Sequence, residues 1–258
     1  MSKKIKCLLI VILLAPVLAY AQEEVGFLAD RPGESTGPEV LPLHRVQWET
    51  GVGFSHTFGI DEFTLNNTLI RYGLTRFAEI RVGIDILHTR QQTGNGWRTS
   101  VSALTIGTKI KVLEGTGWKP SVSAMVEMSC PHIGSKDNTP DHLAPSLYML
   151  FNNDATDWLG IGYAIGTEWD GSDPAPATFW ALTLSFNPID RLGIFVESYN
   201  RYFQAKNSLL NSYGEYSIDF GVSYMVHSKV QLDVAANLNL QKPSKYYAVS
   251  AGVAWQIN

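Results

Sequence analysis

The chain has 258 residues, a formal net charge of −4 and only 17% charged residues, against roughly 25% in ordinary soluble domains. That acidic balance excludes nucleic acid as a partner, because phosphates call for a basic face. Of two cysteines, Cys7 and Cys130, the first lies in the extreme N-terminus, which excludes a disulfide framework.

The first element is MSKKIKCLLIVILLAPVLAYAQ. Lys3, Lys4 and Lys6 form a basic n-region, an apolar core follows, and Ala19-Tyr20-Ala21 is a small-residue cleavage site. Residues 1–21 therefore read as a secretory signal peptide. Its apolar run falls short of the roughly 18 residues a spanning helix needs. Removing it takes three lysines and no acid, moving the formal charge from −4 to −7. Residues 22–44 are rich in Pro, Gly and Glu without any period, and read as an extended periplasmic lead-in.

From Arg45 to the end, residues 45–258, the hydrophobic period is two. Twelve runs are expected, near 45–58, 63–72, 77–90, 100–113, 119–129, 142–152, 158–170, 177–187, 192–202, 213–226, 230–240 and 246–257. Ile80, Val82, Ile84 and Ile86 share one apolar face, as do Phe220, Val222, Tyr224 and Val226, then Leu232, Val234, Ala236 and Leu238. Short links (LTR, LEGTG, NNDAT, NPID, HSK) alternate with longer polar ones such as SCPHIGSKDNTPD, although the first, GIDE at 59–62, is also short.

The opposite faces decide the fold class. A soluble sandwich turns its apolar combs inward and needs charged outer faces. Here the second face is Ser217, Asp219, Gly221, Ser223 and Gln231, Asp233, Ala235, Asn237, which suits a crowded or narrow wet interior. Strands of soluble domains average about 5–6 residues, whereas a tilted membrane strand needs about 9–11. The expected fold is all-β: an antiparallel transmembrane β-barrel of about 12 strands, in the outer membrane, with lipid against its apolar face. Trp48, Trp158, Trp169 and Trp255 fall near strand ends, where interfacial aromatics belong.

Projecting the polar face inward makes Glu49, Glu79, Arg81, Asp85, Lys109, Lys111, Glu127, Glu168, Glu197, Asp219 and Asp233 the charged lining of the lumen. Such charges must pair or be hydrated. They form either a constriction that selects permeants or a stiffening ion-pair network.

Two stretches resemble a known family. DRPGESTGPEVLPLHRVQWETGVGFS carries a DRP element and a Gln-x-Glu-x-Gly pattern at Gln47, Glu49 and Gly51, and LIRYGLTRFAEIRVGID carries YGLT followed by Glu-x-Arg. Together they resemble outer-membrane proteins grouped as "putative MetA-pathway of phenol degradation". The resemblance implies a barrel transporter for small hydrophobic or aromatic molecules, with luminal acids near Glu197 and Asp233. The chain closes on WQIN where many such barrels end in Phe, so Trp255 or Ile257 is expected to meet the barrel-assembly machinery.

Three alternatives compete with a channel. His88 projects from the apolar comb with Ser100 and Ser102 on the next strand, the raw material of a lipid-face hydrolase, but no nucleophile motif accompanies it. His132, Asp137, Asp141 and His142 share a loop without metal-ligand spacing. A closed structural or adhesive barrel is the third. The expectation is a channel, not an enzyme, with no cofactor and no metal, whose partners are outer-membrane lipid, the assembly machinery and a small-molecule permeant.

Overall fold

The structure, a computed structural model, describes residues 27–91, 96–172, 175–204, 213–239 and 246–257. The expected signal peptide, residues 22–26 and the end of the eleventh run at Leu240 lie outside the described residues. Period-two segments become long strands: β1 Val46–Thr57, β2 Ile60–Gly73, β3 Ala78–Gln91, β4 Arg98–Val101, β5 Thr105–Leu113, β6 Ser121–Ser129 and β7 Ala144–Thr156. Then follow β8 Leu159–Glu168, β9 Ala177–Ile189, β10 Leu192–Phe203, β11 Tyr213–His227, β12 Val230–Asn239 and β13 Tyr247–Gln256. Neighbours pair antiparallel, and β13 returns to β1 with Gln47 opposite Gln256 and His56 opposite Tyr247. The sheet has no free edge, so it is a closed barrel.

β4 and β5 both pair with β3 and are two halves of one stave, which makes twelve staves in all. The single run expected at 100–113 is therefore interrupted at Ser102–Leu104. The loop between β6 and β7 lies against the break. Ala103 N and Leu104 N donate to Asn138 O and Ile133 O, and Ser135 N donates to Val101 O. The backbone groups left by the break are thus satisfied by a loop instead of a strand.

Some turns differ from the sequence reading; NPID, for one, lies largely in β9, which runs to Ile189. β1 and β2 are joined by Phe58 and Gly59 alone, both at positive φ (46° and 78°), as a tight primed hairpin requires. The GIDE link shrinks because Asp61 pairs with His56 at 2.7 Å and with Arg90 at 2.8 Å, so its charge is compatible with a strand end. NNDAT belongs to β7, not to a turn; Asn153 Nδ2 donates to Trp118 O at 2.8 Å across the periplasmic end.

The faces separate cleanly. Val222, Tyr224, Leu232 and Val234 are exposed on the outside, while Ser217, Asp219, Gln231 and Asp233 are buried inside. Ile80, Ile106, Ile110, Leu182, Leu184 and Val249 extend the same apolar surface around the ring. A continuous apolar belt of that extent is not sustained in water. Hydrocarbon is the solvent it fits, and a closed barrel leaves no backbone group unpaired there.

Candidate functional site

The described part of the lead-in, residues 27–44, does not lie on the periplasmic side as an extended tail. It loops through the barrel interior, and Val40 and Leu41 are 4% and 2% exposed. Both ends of the loop meet at the start of β1, where Gln47 Nε2 donates to Leu28 O at 2.8 Å. Traced backward from the start of β1, the segment crosses to β3, β5 and β6, runs on to β9 and β10, and returns past β12, β2 and β1. The sequence reading missed this because the segment has no period; its backbone is satisfied by side chains of the wall, not by a ladder.

An ionic cluster, in which the Arg71, Glu49, Glu79 and Lys109 side chains are fully buried, holds the two ends of the loop. Arg71 makes a two-pronged contact with Glu79 at 2.9 and 3.0 Å and reaches Glu49 at 3.0 Å. Asp30 enters among Arg71 (3.3 Å), Lys109 (3.1 Å) and Arg81. Lys109 Nζ also donates to Gly37 O and Glu39 O, both at 3.0 Å, and Glu79 accepts from Leu41 N at 2.8 Å. Each ion is thus paired and further hydrogen-bonded, the condition under which buried charge is tolerated.

At the far wall Glu197 accepts from Glu34 N at 3.0 Å, Ser35 N at 3.1 Å and Thr183 Oγ1 at 2.6 Å. Arg201 donates to Glu168 at 2.8 Å, pairs with Glu34, and lies 5.1 Å above the Phe179 ring. On the return, Arg31 binds Asp233 through Nε and Nη2 at 3.3 and 3.2 Å and Asn67 at 3.0 Å.

The short sequence patterns converge on this segment. In Asp30-Arg31-Pro32, the aspartate enters the ionic cluster and the arginine spans the seam. Gln47 and Glu49 receive the loop's backbone, with Asp30 N and Arg31 N both 3.1 Å from Glu49 Oε2. Gly51 leaves room for Arg31, whose Nη2 would lie 2.4 Å from an added Cβ. At Gly73 of the YGLT turn, an added Cβ would lie 2.0 Å from Pro42 O. Glu79 and Arg81 complete the cluster.

The structure gathers Glu49, Glu79, Arg81 and Lys109 in that cluster, with Glu127 joined through Arg81 at 3.0 Å. Lys111 is attached to its edge by Glu39 at 2.8 Å. Glu197 and Asp233 hold the segment elsewhere, Glu168 reaches it only through Arg201, and Asp85 accepts from Asn67 Nδ2 at 2.7 Å. Asp219 is buried beside Glu197 in the strand register, apart from the cluster. Arg71 and Arg201 are the principal side chains the sequence reading overlooked. On β2 a bulge at Leu65–Asn66 breaks the register with both neighbours, so the alternation reverses before Arg71 and a simple parity count fails there.

On the long-loop side of the polar segment the interior also holds apolar groups: Met125, Leu150, Phe179 and Tyr199 form one buried cluster, with Tyr148 edge-on to Phe179. Residues Asp30–Thr36 separate two cavities. One of about 380 Å³ lies on the long-loop side, lined by Asp85, Glu127, Tyr148, Phe179 and Arg201. The other, about 300 Å³, opens toward the short turns and is lined by Leu28, Asn187, Ser223 and Gln231.

His88 hydrogen-bonds Thr99 Oγ1 at 2.9 Å and stacks on Trp97, while Ser102 Oγ accepts from Asp85 N and Ser100 Oγ accepts from Asn138 Nδ2, so neither serine is paired with His88. Among the described residues no group of acids, histidines or cysteines could hold a metal. Trp48 and Trp255 face each other across the β1–β13 seam and are exposed, as is Trp158 in the β7–β8 turn; Trp169 is half-buried at the opposite end.

A closed twelve-stave antiparallel barrel with an apolar belt outside and a charged interior is an outer-membrane β-barrel. The chain belongs to the family described as "Putative MetA-pathway of phenol degradation", which it matches over residues 29–257. Among solved structures it is similar to an outer-membrane channel from Pseudomonas putida F1, with a TM-score of 0.65 and 11% identity over 88% of this chain and 100% of that one. The NanC porin gives 0.57 and 9% identity, covering 81% of this chain and 98% of that one. The KdgM porin gives 0.56 and 10% identity, covering 81% and 99%. No curated protein matches the sequence.

Proposed function

We propose that the protein is a small-molecule channel of the outer membrane, not an enzyme, whose lumen is closed at rest by its own residues 27–44. The observation that carries this reading is the partition: Asp30, Arg31, Pro32, Ser35 and Thr36 border both luminal cavities, so a permeant passes from one to the other only if the segment shifts. The long-loop cavity suits a small, partly apolar molecule. Met125, Leu150 and the Phe179 ring offer an apolar wall, and Glu127, Arg81 and Arg201 give polar groups to orient a substituent. The luminal charges act as the selecting constriction, Trp48, Trp158, Trp169 and Trp255 as the interfacial girdle, and residues 1–21 as the export signal. Trp255 or Ile257 serves as the contact for the assembly machinery.

The dense satisfaction of the segment favours a second reading, a permanently closed structural barrel. One experiment separates the two. Single-channel conductance and liposome swelling are measured for the full chain and for Arg31→Ala, which removes the contacts to Asp233 and Asn67. The channel reading expects rare openings in the parent and frequent, larger ones in the variant. A variant that inserts and shows folded, heat-modifiable migration yet passes no ion or solute would refute it.

A further inference from the structure

Asp85 occupies a singular place in the interior. It borders the 380 Å³ cavity above the plugging segment and also a second cavity of about 450 Å³ at the long-loop mouth. Only Ser102 and Thr105 share that double position, so these three residues form the neck between the two spaces. The neck lies at the break between β4 and β5, where Ser102 Oγ accepts from Asp85 N at 2.8 Å and fixes the backbone beneath the carboxylate.

The arginines of the inner cavity already have carboxylate partners. Arg81 is held by Asp30, Glu79 and Glu127, Arg201 by Glu34 and Glu168, and Arg31 by Asp233. Asp85 takes part in none of the ion pairs seen among the described residues. Its hydrogen-bond partner is neutral, the Asn67 amide, which also accepts from Arg31 Nη1 at 3.0 Å. A carboxylate with no ion-pair partner, which feels Arg31 only across the Asn67 amide, sets a negative field across the residues common to both cavities.

We infer that Asp85 is the specificity-determining residue of the outward half of the pathway, favouring small organic cations and hydrogen-bond donors over anions of the same size. This rests on the channel reading above and adds to it a charge class and a selecting residue. Ser102 and Thr105 complete the neck with hydroxyls, so a desolvating ammonium meets one carboxylate and two neutral acceptors there.

The test is the reversal potential in a potassium chloride gradient, for the Arg31→Ala protein with and without Asp85→Asn. Asparagine keeps an oxygen for Asn67 and removes the charge alone. Benzylammonium and benzoate, matched in ring size, are compared in swelling assays on the same proteins. The expected result is a cation preference that falls about threefold to tenfold in Asp85→Asn, the range one charge at short distance produces. The advantage of benzylammonium over benzoate should narrow in parallel. Current with an unchanged preference in Asp85→Asn would overturn the inference and leave the channel reading standing. Absence of any current or swelling from the folded Arg31→Ala protein would overturn both.

Discussion

Arg31 fills the space above Gly252: a Cβ added there would lie 2.3 Å from Arg31 Nη2 and 2.4 Å from its Cζ. The guanidinium cannot retreat without leaving Asp233 and Asn67, so the missing side chain at residue 252 is part of the clamp. Gly252→Val should therefore free the return limb of the segment while the barrel still folds. A glutamate-specific protease reports this, since Glu34 and Glu39 lie within the loop. Cleavage should accelerate about tenfold, corresponding to the ~1.4 kcal/mol lost with one or two charged hydrogen bonds. Unchanged protection would show that Arg31 does not hold the segment.

Lys109 poses a different case, because its partners are themselves buried. Replacing it with Met leaves Gly37 O and Glu39 O without this donor and takes one of three cationic partners from Asp30. Removing one member of such a set costs about 3–5 kcal/mol. On unboiled gels, Lys109→Met should lose its folded, faster-migrating form at a distinctly lower temperature. Glu114→Gln is the control: that side chain is 79% exposed and reaches Lys111 only at 3.8 Å, so no change is expected.

Gly73 is packed against backbone, not a movable side chain. Pro42 O, Leu41 O and Pro42 C would all lie within 2.8 Å of an added Cβ. His44 N also donates to Gly73 O at 2.8 Å, tying the two chains together. Gly73→Ala should displace residues 41–44 and with them the Leu41 N contact to Glu79. Expected readouts are faster proteolysis at Glu39 and raised conductance. An alanine variant with parental protection and conductance would contradict the close approach.

The barrel was legible because its two faces meet different media. Period two survives wherever hydrocarbon lies on one side and a polar interior on the other, as in the β11 row Phe220, Val222 and Tyr224 against Asp219, Gly221 and Ser223. It fails at Leu65–Asn66, where both residues fall on the outside and hide Arg71 from a parity count. It also fails at Ser102–Leu104, whose backbone is satisfied by a loop distant in sequence. The luminal segment was illegible for a deeper reason. Asp30 and Arg31 carry no local pattern, and their placement depends on contacts with Lys109, Asn67 and Asp233, far along the chain. The patterns DRP, Gln-x-Glu-x-Gly and YGLT were visible as words, but their shared purpose appears only when the ring closes.

Trp48 and Trp255 are register partners across the β1–β13 seam, the last pairing needed to close the ring. Both rings are exposed at the short-turn end, 43% and 50%, and the girdle proposed above would set them at the edge of the apolar belt. An indole there keeps its apolar body against acyl chains and its N–H toward water, which alanine cannot do. Trp255→Ala should lower thermal stability in lipid by an amount of about 1–2 kcal/mol and slow refolding into vesicles, with little effect on conductance. Trp180, within β9 and also on the lipid face, offers a comparison of depth. An interfacial role requires that Trp255→Phe, which removes only the N–H, lose part of that stability while Trp180→Phe loses none. Equal losses at the two positions would reduce both residues to buried apolar area and remove the case for a girdle.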